Sequence, residues 1–170
     1  MDILKAATQW AKAELVSTPF FALAGICFLA LWFGFWQAGK TELAKAYIIP
    51  TIIAGALLVI IGLGLYFTNK SRIAQFEKAY NENTMAFVES ELERADATLK
   101  EYKNIVFTGI PLIILICAVV LFFINTPIWR ASIITTISML SVILLIDGLA
   151  HARISAYNEQ LIQAKQEIEK

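Results

Sequence analysis

Two ionisable side chains four residues apart stand at the end of a long apolar run. In LLIDGLAHARISAY, from Leu144 to Tyr157, Asp147 and His151 follow a charge-free stretch from Ala131 to Ile146. On a helix this spacing brings a carboxylate and an imidazole onto one face. Deep inside a bilayer such a pair is a proton-sensitive site; at the rim it is a clamp that fixes where the helix meets water. Asp147 lies only about 5 Å, at 1.5 Å per residue, from the polar tail that opens at Ala150 and His151. The clamp is therefore the expected role. The helix dipole does not favour an anion in the last turns of a span, so Asp147 needs a cation: His151, Arg153, or Lys70 or Arg72 from an earlier helix. Asp147, His151, Arg153 and Arg72 form the expected charge network at the membrane rim.

Other chemistries lack their residues. None of the apolar runs carries an ionisable group near its middle, where proton-coupled transporters, pumps and voltage sensors need one. A single histidine supplies neither two haem imidazoles nor a multi-histidine metal site. The chain holds no Ser-His-Asp arrangement, phosphate-binding loop or zinc motif. The acidic stretch VESELERAD at 88–96 lacks the Glu-x-x-His pattern of carboxylate metal sites in helical bundles. Cys27 and Cys117 lie in apolar runs and read as small hydrophobes. The expectation is a non-enzyme with no catalytic residues, no cofactor and no metal.

The elements that must carry these residues follow from composition. Of 170 residues, 58% are hydrophobic and 16% charged, against about 25% charged in an average soluble domain. Charges are absent from Leu15 to Ala38, Ala46 to Asn69, Asn104 to Ile128 and Ala131 to Ile146. A spanning helix needs about 20 such residues. The reading is an all-α membrane protein with four transmembrane helices, near 17–37, 48–68, 105–125 and 128–150. They pair into two hairpins, at 17–68 and 105–150. Residues 1–16 form an amphipathic segment, 69–104 a helical connection, and 151–170 a C-terminal helix; the last two extend their spans into a bundle. The turn INTPIW at 124–129 closes the second hairpin, because Pro127 cannot continue the incoming helix. At the other end of the chain's first span, Gly39 ends one helix and Thr41 caps the next, while Pro50 either kinks that helix or marks its true start.

The bundle has a legible seam. Ile154, Tyr157, Leu161, Ala164 and Ile168 recur at heptad-like spacing, as do Ile73, Phe76, Tyr80, Thr84, Phe87, Glu91, Ala95, Leu99 and Tyr102. Glu91 interrupts the second seam chemically. NENT at 81–84 marks the turn within it. Small residues at Gly55, Gly62 and Gly64 allow close helix approach, and Ser132, Thr135, Thr136, Ser138 and Ser141 bond across helices or back to their own backbone. Trp36 and Trp129 fit one interfacial belt and Trp10 the other.

The pattern FVESELER at 87–94 followed by LIDGLAHARISAY at 145–157, on a four-span build, resembles uncharacterised bacterial membrane proteins. The general build is similar to polytopic inner-membrane immunity proteins that neutralise pore-forming toxins or membrane-acting type VI secretion effectors. That resemblance implies direct binding of an incoming toxin. Candidate contacts are Phe28, Trp32 and Phe33 on the first span and Glu89, Glu93 and Asp96 on the acidic helix face. The expected partners are membrane lipids and a toxin, an effector or a larger membrane complex, with a second copy of the chain a further candidate. A net charge of zero gives no reason to expect nucleic acid. The rival readings are a channel or transporter subunit and a scaffold subunit.

Orientation comes from lysine and arginine. Eleven of the 14 fall in the N-terminal segment, the 69–104 connection and the tail, leaving Lys40, Lys45 and Arg130 opposite. Both termini are expected in the cytoplasm of a bacterial inner membrane. Reporter fusions after Asn81 and Lys170 should show cytoplasmic signals, and fusions after Lys40 and Asn125 periplasmic ones; a periplasmic signal at Asn81 overturns the orientation.

Overall fold

In a computed structural model that describes residues 2–169, the chain is all-α. Its helices are α1 (Ile3–Ser17), α2 (Pro19–Ala38), α3 (Glu42–Ala46), α4 (Ile48–Glu82), α5 (Thr84–Glu101), α6 (Ile110–Leu121) and α7 (Pro127–Ile168), with a π-helical stretch, Tyr102–Gly109, joining α5 to α6. Four helical segments are long and apolar enough to cross a membrane: Ile3–Ala38, Glu42–Glu82, Thr84–Leu121 and Pro127–Ile168. Their outer faces expose Ile26, Leu31, Ile60 and Leu115, each more than half accessible. Water does not tolerate so much contiguous apolar surface, and lipid does. The chain is a multi-pass membrane protein. At 42 residues, α7 is about 63 Å long, twice the roughly 30 Å of a hydrocarbon core. Only part of it can be an apolar span.

The helices pack in two zones. In the apolar zone α2 lies along α4, and α6 packs against α7 and the π-helical stretch. Phe21, Phe28, Ala54 and Leu58 form its core, backed by Met139, Ile143 and Ile146 of α7. Close approach depends on glycine. A Cβ on Gly25 would stand 2.7 Å from the Gly55 carbonyl oxygen, and one on Gly62 2.7 Å from the Ala22 backbone nitrogen. Gly64, expected to share this role, faces open space; Gly25 holds it instead. The α7 hydroxyls do not bridge helices here: Ser132, Ser138 and Ser141 donate to the carbonyls of Ile128, Ile134 and Ile137 on their own helix.

In the second zone α1, the end of α4, α5 and the end of α7 close around Ile3, Ala7, Phe76, Phe87, Val88, Tyr157 and Leu161. The seam residues Phe76, Phe87, Ala95, Ile154, Tyr157, Leu161 and Ala164 are buried, while Ile168, at 43% exposure, lies beyond it. The break in NENT falls at Asn83, whose side chain accepts from the Ala86 amide at 3.0 Å and so caps α5. Thr41 caps the next helix, the short α3, through the Ala44 amide, and α4 follows from Ile48 with Pro50 in its first turn. Trp10 leaves the expected interfacial belt: it packs against this core, stacked on Tyr157 at 5.2 Å.

Two prolines interrupt otherwise continuous helices. Pro19, at the start of α2, breaks the ladder between α1 and α2. Pro111 follows the π-helical stretch, where the Ile110 amide reaches the Ile105 carbonyl and the Thr108 hydroxyl the Lys103 carbonyl. Proline has no amide to donate and crowds the carbonyl four residues earlier; the wider turn absorbs this.

Gly62→Ala should destabilise the protein by about 1–3 kcal/mol, as overpacking does, because backbone stands where the methyl must go. Gly64→Ala should leave the melting temperature in detergent unchanged or higher. Equal effects of the two would show that the α2–α4 contact is not glycine-limited.

Candidate functional site: a polar-ended cavity between the packing zones

Where the zones meet, a cavity of about 420 Å³ lies among α1, α2, α4, α5, the π-helical stretch and α7. Phe21, Ile61, Leu65, Ile143 and Ile146 line its apolar end; Trp10, Arg72 and Arg94 line the other, with Glu14, Asn69, Glu101, Tyr102 and Asp147 along the walls.

Two ion-pair systems flank it. Arg153 donates from Nε to Glu14 at 2.8 Å and from Nη2 to the Ser17 hydroxyl at 2.7 Å. Glu14 is 8% exposed and Arg153 about a quarter, so the pair is shielded from water. The second system surrounds Glu91, the acid inside the seam. Arg94 forms a fork on it through Nε and Nη2, and the Tyr157 hydroxyl donates to it at 3.0 Å. Burial, then the neighbouring carboxylate, push the Tyr157 hydroxyl well up, so it remains a donor. Trp10 lies against this group, with the Arg94 guanidinium carbon 4.5 Å and that of Arg72 5.7 Å from its ring centroid. The indole uses one face on Tyr157 and attracts cations through its π system.

The expected rim network forms only in part. Arg153 is paired, but with Glu14 and not Asp147. His151 meets Asp147 in no ion pair: its ring packs edge-on against Phe107 at 4.9 Å and Tyr102 at 5.6 Å. Arg72 donates to Asn69 Oδ1 at 3.0 Å. Burial, and then the adjacent Arg94 charge, lower its pKa, with Glu91 acting the other way. Among the described residues, the Asp147 carboxylate therefore has no hydrogen-bond or ion-pair partner. The clamp closes one turn and a half further along, on Glu14. Burial first, then Asp147 and Glu14, raise the pKa of Tyr102 beside it.

The candidate contact residues divide. Phe28 is buried in the α2–α4 core and cannot meet a partner while that core is intact. Trp32 is half-buried and stacks on Trp36 at 5.9 Å, with the exposed Phe33 6.0 Å from Trp36. On the acidic face Glu89 pairs with Lys165 at 3.3 Å, Asp96 accepts from Asn158 at 2.9 Å, and Glu93 is exposed. Sequence reasoning passed over Glu14. Its signal was present: it ends the Ile3, Ala7, Ala11 spacing that α1 buries. No group of acidic, histidine or cysteine side chains among the described residues is arranged to hold a metal ion.

Arg153→Gln should cost about 1–3 kcal/mol, the penalty for stranding a buried carboxylate, and a double-mutant cycle with Glu14→Gln should show coupling. Asp147→Asn should leave stability in detergent unchanged or raised, since it removes a half-buried charge and no partner. A large loss of melting temperature in Asp147→Asn would restore the clamp to Asp147. Compared with protein-family models, curated proteins and solved structures, the chain matches none.

Proposed function

We propose that the chain is a non-enzymatic integral membrane binding protein of a bacterial inner membrane. In this reading it forms two transmembrane hairpins with both termini and the termini-bearing bundle in the cytoplasm. Its task is to hold another membrane protein, in the manner of immunity proteins that neutralise pore-forming toxins or type VI effectors. The supporting observation is the aromatic cluster of α2. Trp32 stacks on Trp36, and Phe33 packs edge-on or tilted against both, with Phe33 and Trp36 each more than half exposed. Exposed aromatics on a rigid helix make the anchors that carry most of the energy of a protein contact. Gly25, Gly55 and Gly62 lock that helix to α4, so the cluster is presented at little entropic cost.

Ser132, Ser138 and Ser141 of α7 are committed to their own backbone, which weakens the rival reading of a hydroxyl-lined pore. Expressed beside a cognate toxin, the protein should protect cells. Trp32→Ala or Phe33→Ala should reduce protection and membrane pull-down at equal abundance. Phe28→Ala should act through lower stability, by about 3–5 kcal/mol for a lost core aromatic. Conductance by the pure protein in liposomes, with no partner recovered, would favour a channel subunit instead.

A further inference from the structure

The cavity between the zones has two arginines, Arg72 and Arg94, at one end and the Asp147 carboxylate on its wall nearer the apolar end. Trp10 stacks on Tyr157, and both Arg72 and Arg94 lie over Trp10, which fixes the level of the basic end. Asp147 precedes Tyr157 by ten residues on α7, about 15 Å along the helix. At that separation neither arginine reaches Asp147 with a hydrogen bond or an ion pair. The basic side chains that follow Asp147 on α7 are engaged elsewhere: Arg153 pairs with Glu14 and Ser17, and the His151 ring packs on Tyr102 and Phe107. A half-buried carboxylate thus faces an apolar-walled space with no countercharge from the described residues. Burying an ion without a partner is costly, and a ligand of opposite charge removes that cost.

We propose that this cavity binds a hydrophobic organic cation, with Asp147 as countercharge and the walls at Phe21, Leu65 and Ile143 taking its apolar body. About 420 Å³ suits a drug-sized ligand. The acidic level lies where the apolar zone begins, so a ligand dissolved in the membrane reaches charge and apolar wall together. An anion of the same shape meets the unpaired Asp147 carboxylate at that level and is rejected. The site stands apart from the aromatic cluster of α2 and does not depend on partner recognition there.

Tetraphenylphosphonium and tetraphenylborate share size and shape and differ in sign. In equilibrium dialysis against purified full-length protein in maltoside micelles, the phosphonium should bind saturably and the borate should not. Asp147→Asn, close in shape, should weaken phosphonium binding at least tenfold with a melting temperature no lower than the wild type's. Ile143→Trp, which fills the cavity and keeps the carboxylate, should weaken it as well. Competition by a short-chain ethanolamine phospholipid would assign a lipid amine as the natural occupant, and its failure a freely diffusing amine; both keep the site. Borate binding as tight as phosphonium binding, phosphonium binding unchanged in Asp147→Asn, or no binding by the wild type would overturn the proposal.

Discussion

Hydrocarbon offers the backbone no hydrogen-bond partner, so a segment that crosses it as a single chain element must be a helix. Here that constraint acts on helices longer than the bilayer is thick. The 35 residues of α4 and the 42 of α7 run without a break through the apolar zone and on into the zone that holds both termini. Each therefore serves two solvents with one backbone. In the apolar zone there is no hydrophobic gain from helix association, and contact relies on close packing at Gly25, Gly55 and Gly62. Beyond it, apolar burial drives the closure of Phe76, Phe87 and Leu161. The protein changes its source of cohesion part of the way along each helix.

That change explains where the charged groups cluster. A carboxylate in the middle of a span has no water and few partners; one far into the bundle can reach water directly. Glu14, Glu91, Arg94 and Arg153 sit between these extremes, shielded but reachable by other helices, and each is held in a hydrogen-bonded pair. Glu91 would disrupt a purely apolar seam. With Arg94, Tyr157 and Trp10 around it, the same position fixes the register of α1, α5 and α7. A buried polar group of this kind selects one packing among the several that a greasy seam permits.

Local pattern was legible in the sequence; tertiary pairing was not. Charge-free runs located the apolar helices, heptad spacing located the buried face around Phe76, Phe87 and Leu161, and Asn83 capped α5 where turn chemistry placed it. These features depend on neighbours within a few residues. The partner of Arg153 is Glu14, 139 residues away, and no periodicity encodes that distance. Asp147 looked the better partner because it is near in sequence. Phe28 faces inward for a related reason: aromatics surround α2 on several sides, and only the position of α4 decides which of them is covered. The π-helical stretch left one trace, Pro111 inside an apolar run, which required the ladder before it to relax.

The unpartnered state of Asp147 follows from how cations are shared out across the interface between the zones. Arg153 has two acceptors on α1 within 2.8 Å, so leaving Glu14 for Asp147 would strand the more deeply buried acid. Arg94 is forked on Glu91, and Arg72 is held by Asn69 and the face of Trp10 at the far end of the cavity. Moving Arg153 or Arg94 to Asp147 would expose another carboxylate to the same desolvation cost, and Arg72 is anchored at the far end of the cavity. Arg72 and Arg94 therefore stand at one end of the cavity, and the Asp147 carboxylate stands unpaired at the level of its apolar walls. A field of that sense draws a cation toward Asp147 and holds an anion off, whatever the shape of the molecule that carries it.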